Sequence, residues 1–361
     1  MSLIDPRRAD GASSGGWGAV DPHLDLSIVV PVYRSAECLD KLVAAIGDVL
    51  IPAGLRHEII LVNDSSPDES WAVIERLSKK HNNVIGIDLR RNFGQDNALL
   101  TGIREARGEY VALMDDDLQH DPRDLPHLLL ALRSGFDVVY ADFRKKHHKA
   151  WKRLGSWFNG KVAEWVLQKP KHIYLSSYKV MRHEVAEVIG AYSGPEPYID
   201  GLLLQVTSRI TQLPVNHRPR YAGESTYTLY KSIRVWGRVA FSFSVKPLRV
   251  VSVFGIAFSG LGVLLAMAVV LYRLLSPESF EASTAGWASL AVAVLFFGGL
   301  QMIFFGILGE YAGRTFLRVN EKPQTAIRAI IGAANRTKSD ETRIQTSDRS
   351  PEEEPYRWRR A

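Results

Sequence analysis

The sequence predicts an α/β domain in which helices cover both faces of a mostly parallel β-sheet. Apolar segments of strand length alternate with segments of helical periodicity from residue 26 onwards. The strand segments carry few polar residues along their length, which is typical of strands buried on both faces. Such sheets bind ligands beyond the carboxyl ends of their strands, so the polar residues found there are candidate site residues.

Each element of this domain has its own signal in the chain. Continuous apolar runs predict strands at 26–33, 58–64, 84–89, 110–114, 137–143 and 173–181. Apolar residues spaced three or four apart predict helices at 35–50, from Ser65 or Ser66 to about 81, at 95–106 and at 151–168. The chain contains no GxGxxG, GxxxxGK[ST] or HExxH motif, so the main signatures of dinucleotide, P-loop and zinc-protease sites are missing.

The segment VALMDDDLQHDP at 111–122 follows the fourth strand and carries three consecutive aspartates. Unpaired carboxylates beside a core are poorly solvated, and a bound cation is the usual remedy. Asp115, Asp117 and Gln119 alternate, so their oxygens face one side if the chain is extended. Three such oxygens suit Mg²⁺ or Mn²⁺, which keep positions open for substrate phosphates. The alternative is a solvated acidic loop without a ligand.

Two long apolar runs follow the predicted domain, at 250–275 and 287–308. Each exceeds the ~20 residues that a helix needs to cross the hydrocarbon core of a bilayer. The linker between them, 276–286, is short. The runs are therefore predicted to form a transmembrane helical hairpin rather than buried core helices. Small residues in both runs favour close packing of the hairpins and a homo-oligomer.

Basic residues lie on the outer sides of this predicted hairpin: Lys246, Arg249, Arg314, Arg318 and Lys322. The positive-inside rule then places both termini in the cytoplasm and predicts a multi-pass protein of the cytoplasmic (inner) membrane. Further basic residues concentrate at 144–153 and 218–249. Next to a membrane anchor, such clusters favour anionic headgroups and phosphate ligands over nucleic acid. The single cysteine, Cys38, excludes an internal disulfide.

The chain divides into six predicted segments. They are a disordered arm at 1–24, the cytoplasmic α/β domain at 25–227, an interfacial amphipathic segment at 228–246, the two-helix hairpin at 247–312, a cytoplasmic segment at 313–333 and a disordered tail at 334–361. The interfacial assignment rests on the mixture of aromatic and basic residues in the sequence TLYKSIRVWGRVAFSFSV.

Seven blocks of the sequence carry a family resemblance. They are PVY at 31–33, VNDSSPD at 62–68, RNFGQDNAL at 91–99, DDDLQH at 115–120, RYAGESTYTLYK at 220–231, VKPLR at 245–249 and GILGEYAGR at 306–314. The first four resemble family 2 glycosyltransferases of the nucleotide-diphosphosugar-binding (GT-A) fold. The last three resemble the polyprenyl-phosphate glycosyltransferases, such as dolichol-phosphate mannose synthases, bactoprenol glucosyltransferases and undecaprenyl-phosphate aminoarabinose transferases.

This resemblance implies a donor site for a nucleotide sugar, expected to be a UDP-sugar. Asp115 and Asp117 would hold the donor diphosphate through Mg²⁺ or Mn²⁺, with Gln119 as a further metal ligand. The residues implied to contact the nucleotide are Pro31, Tyr33, Asp64, Asp96 and Asp116. A cap of the following helix is the alternative role for Asp64. Asp200 resembles the region that shapes the sugar pocket, and its role stays open.

The resemblance also implies a polyprenyl phosphate acceptor at the lipid bilayer. Arg220 and Ser225 would act with Asp115 and Asp117 in catalysis. The residues implied to bind the acceptor phosphate are Arg144, Lys152, Arg153, Ser156 and Lys231, and the alternative for the basic ones is a solvated positive face. A phosphate monoester is already anionic at neutral pH, so it attacks the sugar without a general base and inverts the anomeric centre.

Two other functions compete with this one. A processive polysaccharide synthase of the same superfamily would carry a QxxRW motif, and the chain has none. A non-catalytic, membrane-anchored nucleotide-sugar-binding module would tolerate the loss of Asp117. The sugar itself is not specified by the residues, although the extra arginines of HRPR at 217–220 favour an anionic one.

Overall fold

The computed structural model describes residues 20–143, 169–170, 173–215, 246–275, 286–320 and 323–332. The strands are β1 (Leu26–Val32), β2 (His57–Asn63), β3 (Val84–Leu89), β4 (Tyr110–Leu113), β5 (Val138–Asp142), β6 (Lys179–Arg182), β7 (Ile210–Pro214) and β8 (Ile327–Ile331). The helices are α1 (Ala36–Leu50), α2 (Ser70–Lys80), α3 (Gln95–Glu105), α4 (Leu125–Arg133), α5 (His183–Gly190), α6 (Ile199–Val206), α7 (Lys246–Leu275) and α8 (Gly286–Val319).

The strands form one eight-stranded sheet in the order β7-β5-β6-β4-β1-β2-β3-β8. The four central strands β4, β1, β2 and β3 run parallel, so their carboxyl ends meet at one edge. The strand β8 runs antiparallel to β3, and β6 runs antiparallel to both β4 and β5. The strands β5 and β7 run parallel to each other. The predicted parallel sheet is therefore confirmed at its centre, and the sheet as a whole is mixed.

The sheet is covered on both faces, as the continuous apolar strands predict. Every residue of β1, β2 and β3 is buried. One core cluster includes buried residues of α1, α2 and α4, and the other includes those of α3, α5 and α6. Burial of this apolar surface is the main driving force for folding, at about 25 cal/mol per Å². The helix α3 lies close to the sheet at Gly102, where an added Cβ would be 2.4 Å from the Val29 side chain.

Two predicted boundaries differ from the structure. The helix expected to start at Ser65 or Ser66 begins at Ser70, because Ser65 has a positive φ of 51° and the Asp68 carboxylate accepts from the Ser70 backbone N–H. The strand expected at 173–181 is shorter, since only Lys179–Arg182 pairs with neighbouring strands. The predicted helix at 151–168 lies outside the described residues.

The chain beyond α8 returns to the sheet, where residues 327–331 of the predicted segment 313–333 form β8. The strand β8 pairs with the free edge of β3. The Arg90 backbone N–H donates to the Ala326 carbonyl at 2.8 Å, and Arg328 forms a 3.2 Å ion pair with buried Asp88. The sheet domain therefore includes residues from both sides of α7 and α8.

The two long apolar runs lie in α7, with 30 residues, and α8, with 34 residues. When only the described part of the chain is counted, no helix is both long and apolar enough to cross a membrane. The membrane-spanning hairpin stays a prediction. Of the predicted arms and the interfacial segment, 1–19, 228–245 and 334–361 lie outside the described residues.

Candidate active site

A cleft opens at the carboxyl ends of the central strands. It encloses about 330 Å³, within the ordinary size range of a small-molecule site. Its lining residues are Pro31, Val32, Tyr33, Asp64, Asn92, Gly94, Gln95, Asp115, Asp116 and Asp117. They come from the ends of β1, β2, β3 and β4, which is the edge where a parallel sheet binds ligands. The cleft therefore gathers the polar strand ends that the sequence singled out.

Asp64 lines the cleft directly after the end of β2. Its two carboxylate oxygens accept hydrogen bonds from the backbone N–H groups of Phe93 at 2.7 Å and Gly94 at 2.8 Å. Burial raises the pKa of Asp64, and these two hydrogen bonds oppose that rise. The side chain thus supports the turn before α3. It does not cap α2, whose first turn is held by Asp68.

Asp116 closes the cleft against the end of β1. Its carboxylate accepts from the Tyr33 backbone N–H at 3.1 Å. Burial raises the pKa of Asp116 to about 6, and the neighbouring charges of Asp115 and Asp117 add to the rise. This carboxylate therefore changes its charge only a little below neutral pH.

Asp115 is held at three of its atoms. Its Oδ1 accepts from the Gln95 amide at 2.8 Å, and its Oδ2 accepts from the Ser177 hydroxyl at 2.6 Å. Its backbone N–H donates to His120 Nδ1 at 3.0 Å. The His120 ring is buried, and burial lowers its pKa against the opposing charge of Asp115. No role was predicted for Gln95, His120 or Ser177, although Gln95 stands in the RNFGQDNAL block and His120 in the DDDLQH block.

The aspartate segment turns instead of extending. Leu118 has a positive φ of 62°, and the Gln119 backbone N–H donates to Asp117 Oδ1 at 3.1 Å. The alternation argument assumed an extended chain and is therefore wrong for this segment. All three aspartates line the same cleft, including Asp116, whereas Gln119 is not among the lining residues.

The carboxylate oxygens that line the cleft are suitable ligands for a hard divalent cation that is also bound by phosphate oxygens of the substrate. No group of three or more His, Cys, Asp or Glu side chains is placed to enclose a metal, as far as the described residues go. Mg²⁺, however, binds through one or two carboxylates plus substrate phosphates and waters, rather than in an all-protein cage. Asp115 and Asp117 supply two carboxylates beside a cleft large enough for a diphosphate.

The remaining predicted residues fall into two groups. Asp96 does not line the cleft, since its Oδ1 accepts from the Ile199 backbone N–H at 3.3 Å and joins α3 to α6. Asp200 accepts from the Tyr140 hydroxyl at 2.9 Å and pairs with buried Lys179. The predicted phosphate-binding and catalytic residues that lie outside the described residues are Arg144, Lys152, Arg153, Ser156, Arg220, Ser225 and Lys231.

A helix-covered sheet with a carboxylate-lined cleft beyond its parallel strands defines an α/β enzyme domain of the GT-A-like kind. Residues 27–190 match the profile described as glycosyl transferase family 2. The chain belongs to this family and is a glycosyltransferase.

The curated relatives extend this similarity over most of the chain. An uncharacterized glycosyltransferase of Synechocystis sp. is 31% identical over 313 residues, which cover 86% of this chain and 96% of the relative. An undecaprenyl-phosphate 4-deoxy-4-formamido-L-arabinose transferase of Pseudomonas syringae is 29% identical over 323 residues, with 87% and 93% covered. Among solved structures, a glucosyl-3-phosphoglycerate synthase of Mycobacterium tuberculosis matches with a TM-score of 0.44 and 16% identity, over 60% of this chain and 76% of that one.

Proposed function

We propose that this glycosyltransferase moves a sugar from a nucleotide diphosphate donor, a UDP-sugar, to the phosphate of an undecaprenyl-type polyprenyl lipid. The observation that carries the proposal is the convergence of Asp115, Asp116 and Asp117 with Tyr33 and Asp64 in one cleft. Relatives named as undecaprenyl-phosphate transferases match 85–87% of the chain, which supports the lipid acceptor.

Two chemically different kinds of group line the cleft. Around Pro31, Tyr33 and Asp64 it offers an exposed aromatic ring and backbone groups, which suit the base and ribose of the donor. Around Asp115 and Asp117 it offers carboxylate oxygens, which alone would repel a diphosphate. A bound Mg²⁺ or Mn²⁺ supplies charge neutralisation of the leaving nucleoside diphosphate. Asp115 and Asp117 are the residues that would hold it.

The acceptor chemistry asks for no general base. A phosphate monoester carries a negative charge at neutral pH, since its second pKa is near ~6. Direct attack on the anomeric carbon forms the new phosphate–sugar bond, breaks the bond to the donor diphosphate and inverts the centre. The protein then has to hold two anions near each other, for which the predicted basic residues and a cation held by Asp115 and Asp117 would supply opposite charge.

The proposal includes the bilayer, because the acceptor is a lipid. The apolar α7 and α8 would anchor the protein in the cytoplasmic membrane, with the sheet domain on the cytoplasmic side. Association of the helices between copies through their small residues belongs to the same proposal. The product would serve a cell-envelope glycan or lipid modification.

The test is a donor panel with the purified full-length protein in detergent. UDP-, GDP- and dTDP-sugars are each incubated with undecaprenyl phosphate and Mg²⁺ or Mn²⁺, and chloroform-extractable product is identified by mass. We expect a UDP-sugar to give a polyprenyl-phosphate sugar and EDTA to abolish its formation, whereas product from a GDP- or dTDP-sugar alone would contradict the proposed donor. No lipid product from any donor would contradict the proposed acceptor.

A matched pair of variants separates the cleft from the surface. Asp117→Asn removes one carboxylate charge from the cleft and should lower turnover by at least about 100-fold, as loss of an essential electrostatic group does. Asp40→Asn removes an equivalent charge from the exposed face of α1, where Asp40 pairs with Arg76 at 2.5 Å, and should leave turnover unchanged. Full activity in Asp117→Asn would reject its place in the donor site.

A further inference from the structure

We propose that His120 and Ser177 are positioning residues that fix the Asp115 carboxylate for binding the metal-bound diphosphate of the donor. This inference deepens the proposed function and rests on it. Neither residue lines the cleft, so both would act through Asp115 and not by touching the substrate.

The first support is the closure of the aspartate turn by its own histidine. The Asp115 backbone N–H donates to His120 Nδ1 at 3.0 Å, which joins the two ends of a six-residue segment. The positive φ of Leu118 allows the chain to fold back in this way. The histidine therefore stands where a backbone carbonyl would ordinarily satisfy the Asp115 N–H.

The second support is the rigid placement of the imidazole ring. It stacks between Phe143, at 5.6 Å and 7°, and Tyr178, at 4.8 Å and 10° between ring planes. Only 5% of His120 is exposed. Two flat neighbours leave the ring little freedom to rotate out of plane, so the direction of its two nitrogens is fixed by packing.

The third support is a directional pair of hydrogen bonds on the other side of the ring. Since Nδ1 accepts, the network assigns the proton of the neutral ring to Nε2. His120 Nε2 lies 3.4 Å from the Ser177 hydroxyl oxygen, and that hydroxyl donates to Asp115 Oδ2 at 2.6 Å. His120 thus orients Ser177, and Ser177 orients the carboxylate.

This arrangement leaves the carboxylate able to bind a cation. Each carboxylate oxygen has two lone pairs, and the named contacts from Gln95 and Ser177 use one on each oxygen. The free lone pairs can face a cation while the hydrogen bonds set the angle of the group. Residues that orient a metal ligand in this way change metal affinity by about 10- to 100-fold when they are replaced.

The experiment measures metal binding directly, without turnover. Mn²⁺ binding to the full-length protein is followed by electron paramagnetic resonance with UDP present, and UDP binding is measured by calorimetry with EDTA and with Mn²⁺. We expect His120→Ala and Ser177→Ala to weaken Mn²⁺ binding by about 10- to 100-fold. UDP affinity in EDTA should stay unchanged in both variants.

Two further variants separate positioning from general stability. His120→Asn keeps an acceptor for the Asp115 N–H but loses the donor toward Ser177, so it should recover part of the affinity that His120→Ala loses. Tyr178→Phe keeps the stacked ring and removes a buried hydrogen bond to the Asp121 carbonyl at 3.0 Å. It should lower the thermal midpoint and leave Mn²⁺ affinity as in the wild type.

The outcomes are distinguishable. If the wild type binds UDP more tightly with Mn²⁺ and both alanine variants match it, the positioning role is overturned while the proposed function stands. If the wild type shows no Mn²⁺-dependent UDP binding, the proposed donor site fails and the positioning role fails with it. Should His120→Ala not fold, Ser177→Ala, which replaces a side chain on the loop before β6, decides the question.

Discussion

Replacing Asp116 by asparagine should change how the stability of the protein depends on pH. Burial, with the charges of Asp115 and Asp117 added, raises the pKa of Asp116 from 3.8 to about 6. Asparagine has the same shape, never ionises, and can still accept the hydrogen bond from the Tyr33 backbone N–H. The substitution therefore removes the titration and keeps the main contact.

The sign follows from proton linkage. A carboxyl whose pKa is raised in the folded state binds a proton more tightly there than in the unfolded chain. Its stabilising effect is present below pH 4 and is lost as the pH rises through about 6. The full loss above pH 7 is about 3 kcal/mol, since one pKa unit corresponds to about 1.36 kcal/mol. Between pH 7.5 and pH 5 the wild type regains about 1.4 kcal/mol from this group.

The assay is denaturant unfolding of the full-length protein in mild detergent with EDTA, followed by tryptophan fluorescence at both pH values. Asp116→Asn should be more stable than the wild type at pH 7.5, and this advantage should shrink by about 1.4 kcal/mol at pH 5. Asp64 and His120 titrate in both proteins, so their contributions cancel in the difference. An advantage that is equal at both pH values, or absent at pH 7.5, would refute the assigned burial of this charge.

Two further predictions concern packing and the edge strand. Gly102→Ala should destabilise the domain by about 1–3 kcal/mol, because the new Cβ would overlap the Val29 side chain. The control is Gly47→Ala in α1, whose new Cβ would contact only Ile51, at 3.6 Å. This control should be neutral or stabilising by up to about 1 kcal/mol. A loss from Gly47→Ala as large as that from Gly102→Ala would contradict the close approach of α3. Arg328→Ala leaves the buried Asp88 carboxylate without its cation and should cost about 1–3 kcal/mol in denaturant unfolding, whereas Arg328→Lys should recover part of it.

The central parallel strands were predictable because each one is apolar along its own length, whereas the edge strands β7 and β8 were not predicted. The strand β3 was expected at 84–89 and is found there, β1 ends one residue earlier than expected, and β2 is shifted by one residue toward the N-terminus. A strand buried on both faces must be apolar along its whole length, so a single sequence reveals it. The start of α2 was misjudged because serine and proline at 65–67 resemble a helix start. The structure instead uses them in a turn that Ser65 enters with positive φ.

The site was predictable in its residues and not in its geometry. The aspartate triplet and Asp64 were expected at strand ends and do meet in one cleft. Their relative orientation depends on Leu118, whose left-handed conformation has no signal in the sequence. The partners of Asp115 are equally hidden, because Gln95 and Ser177 lie 20 and 62 residues away along the chain. Such contacts form only when the sheet has folded, so a pattern of neighbouring residues in the sequence does not predict them.

The strand β8 has a practical consequence for any attempt to shorten this protein. A fragment ending before α7 would keep the aspartate cleft but leave the edge of β3 bare, with its N–H and C=O groups free to recruit a strand from another molecule. It would also lose Gln324, which accepts from Arg104 at 2.7 Å and so ties the returning chain to α3. The helices α7 and α8 are thus an insertion within the sheet's own sequence. A version without α7 and α8 should join residues 323–332 directly to the domain instead of cutting them away.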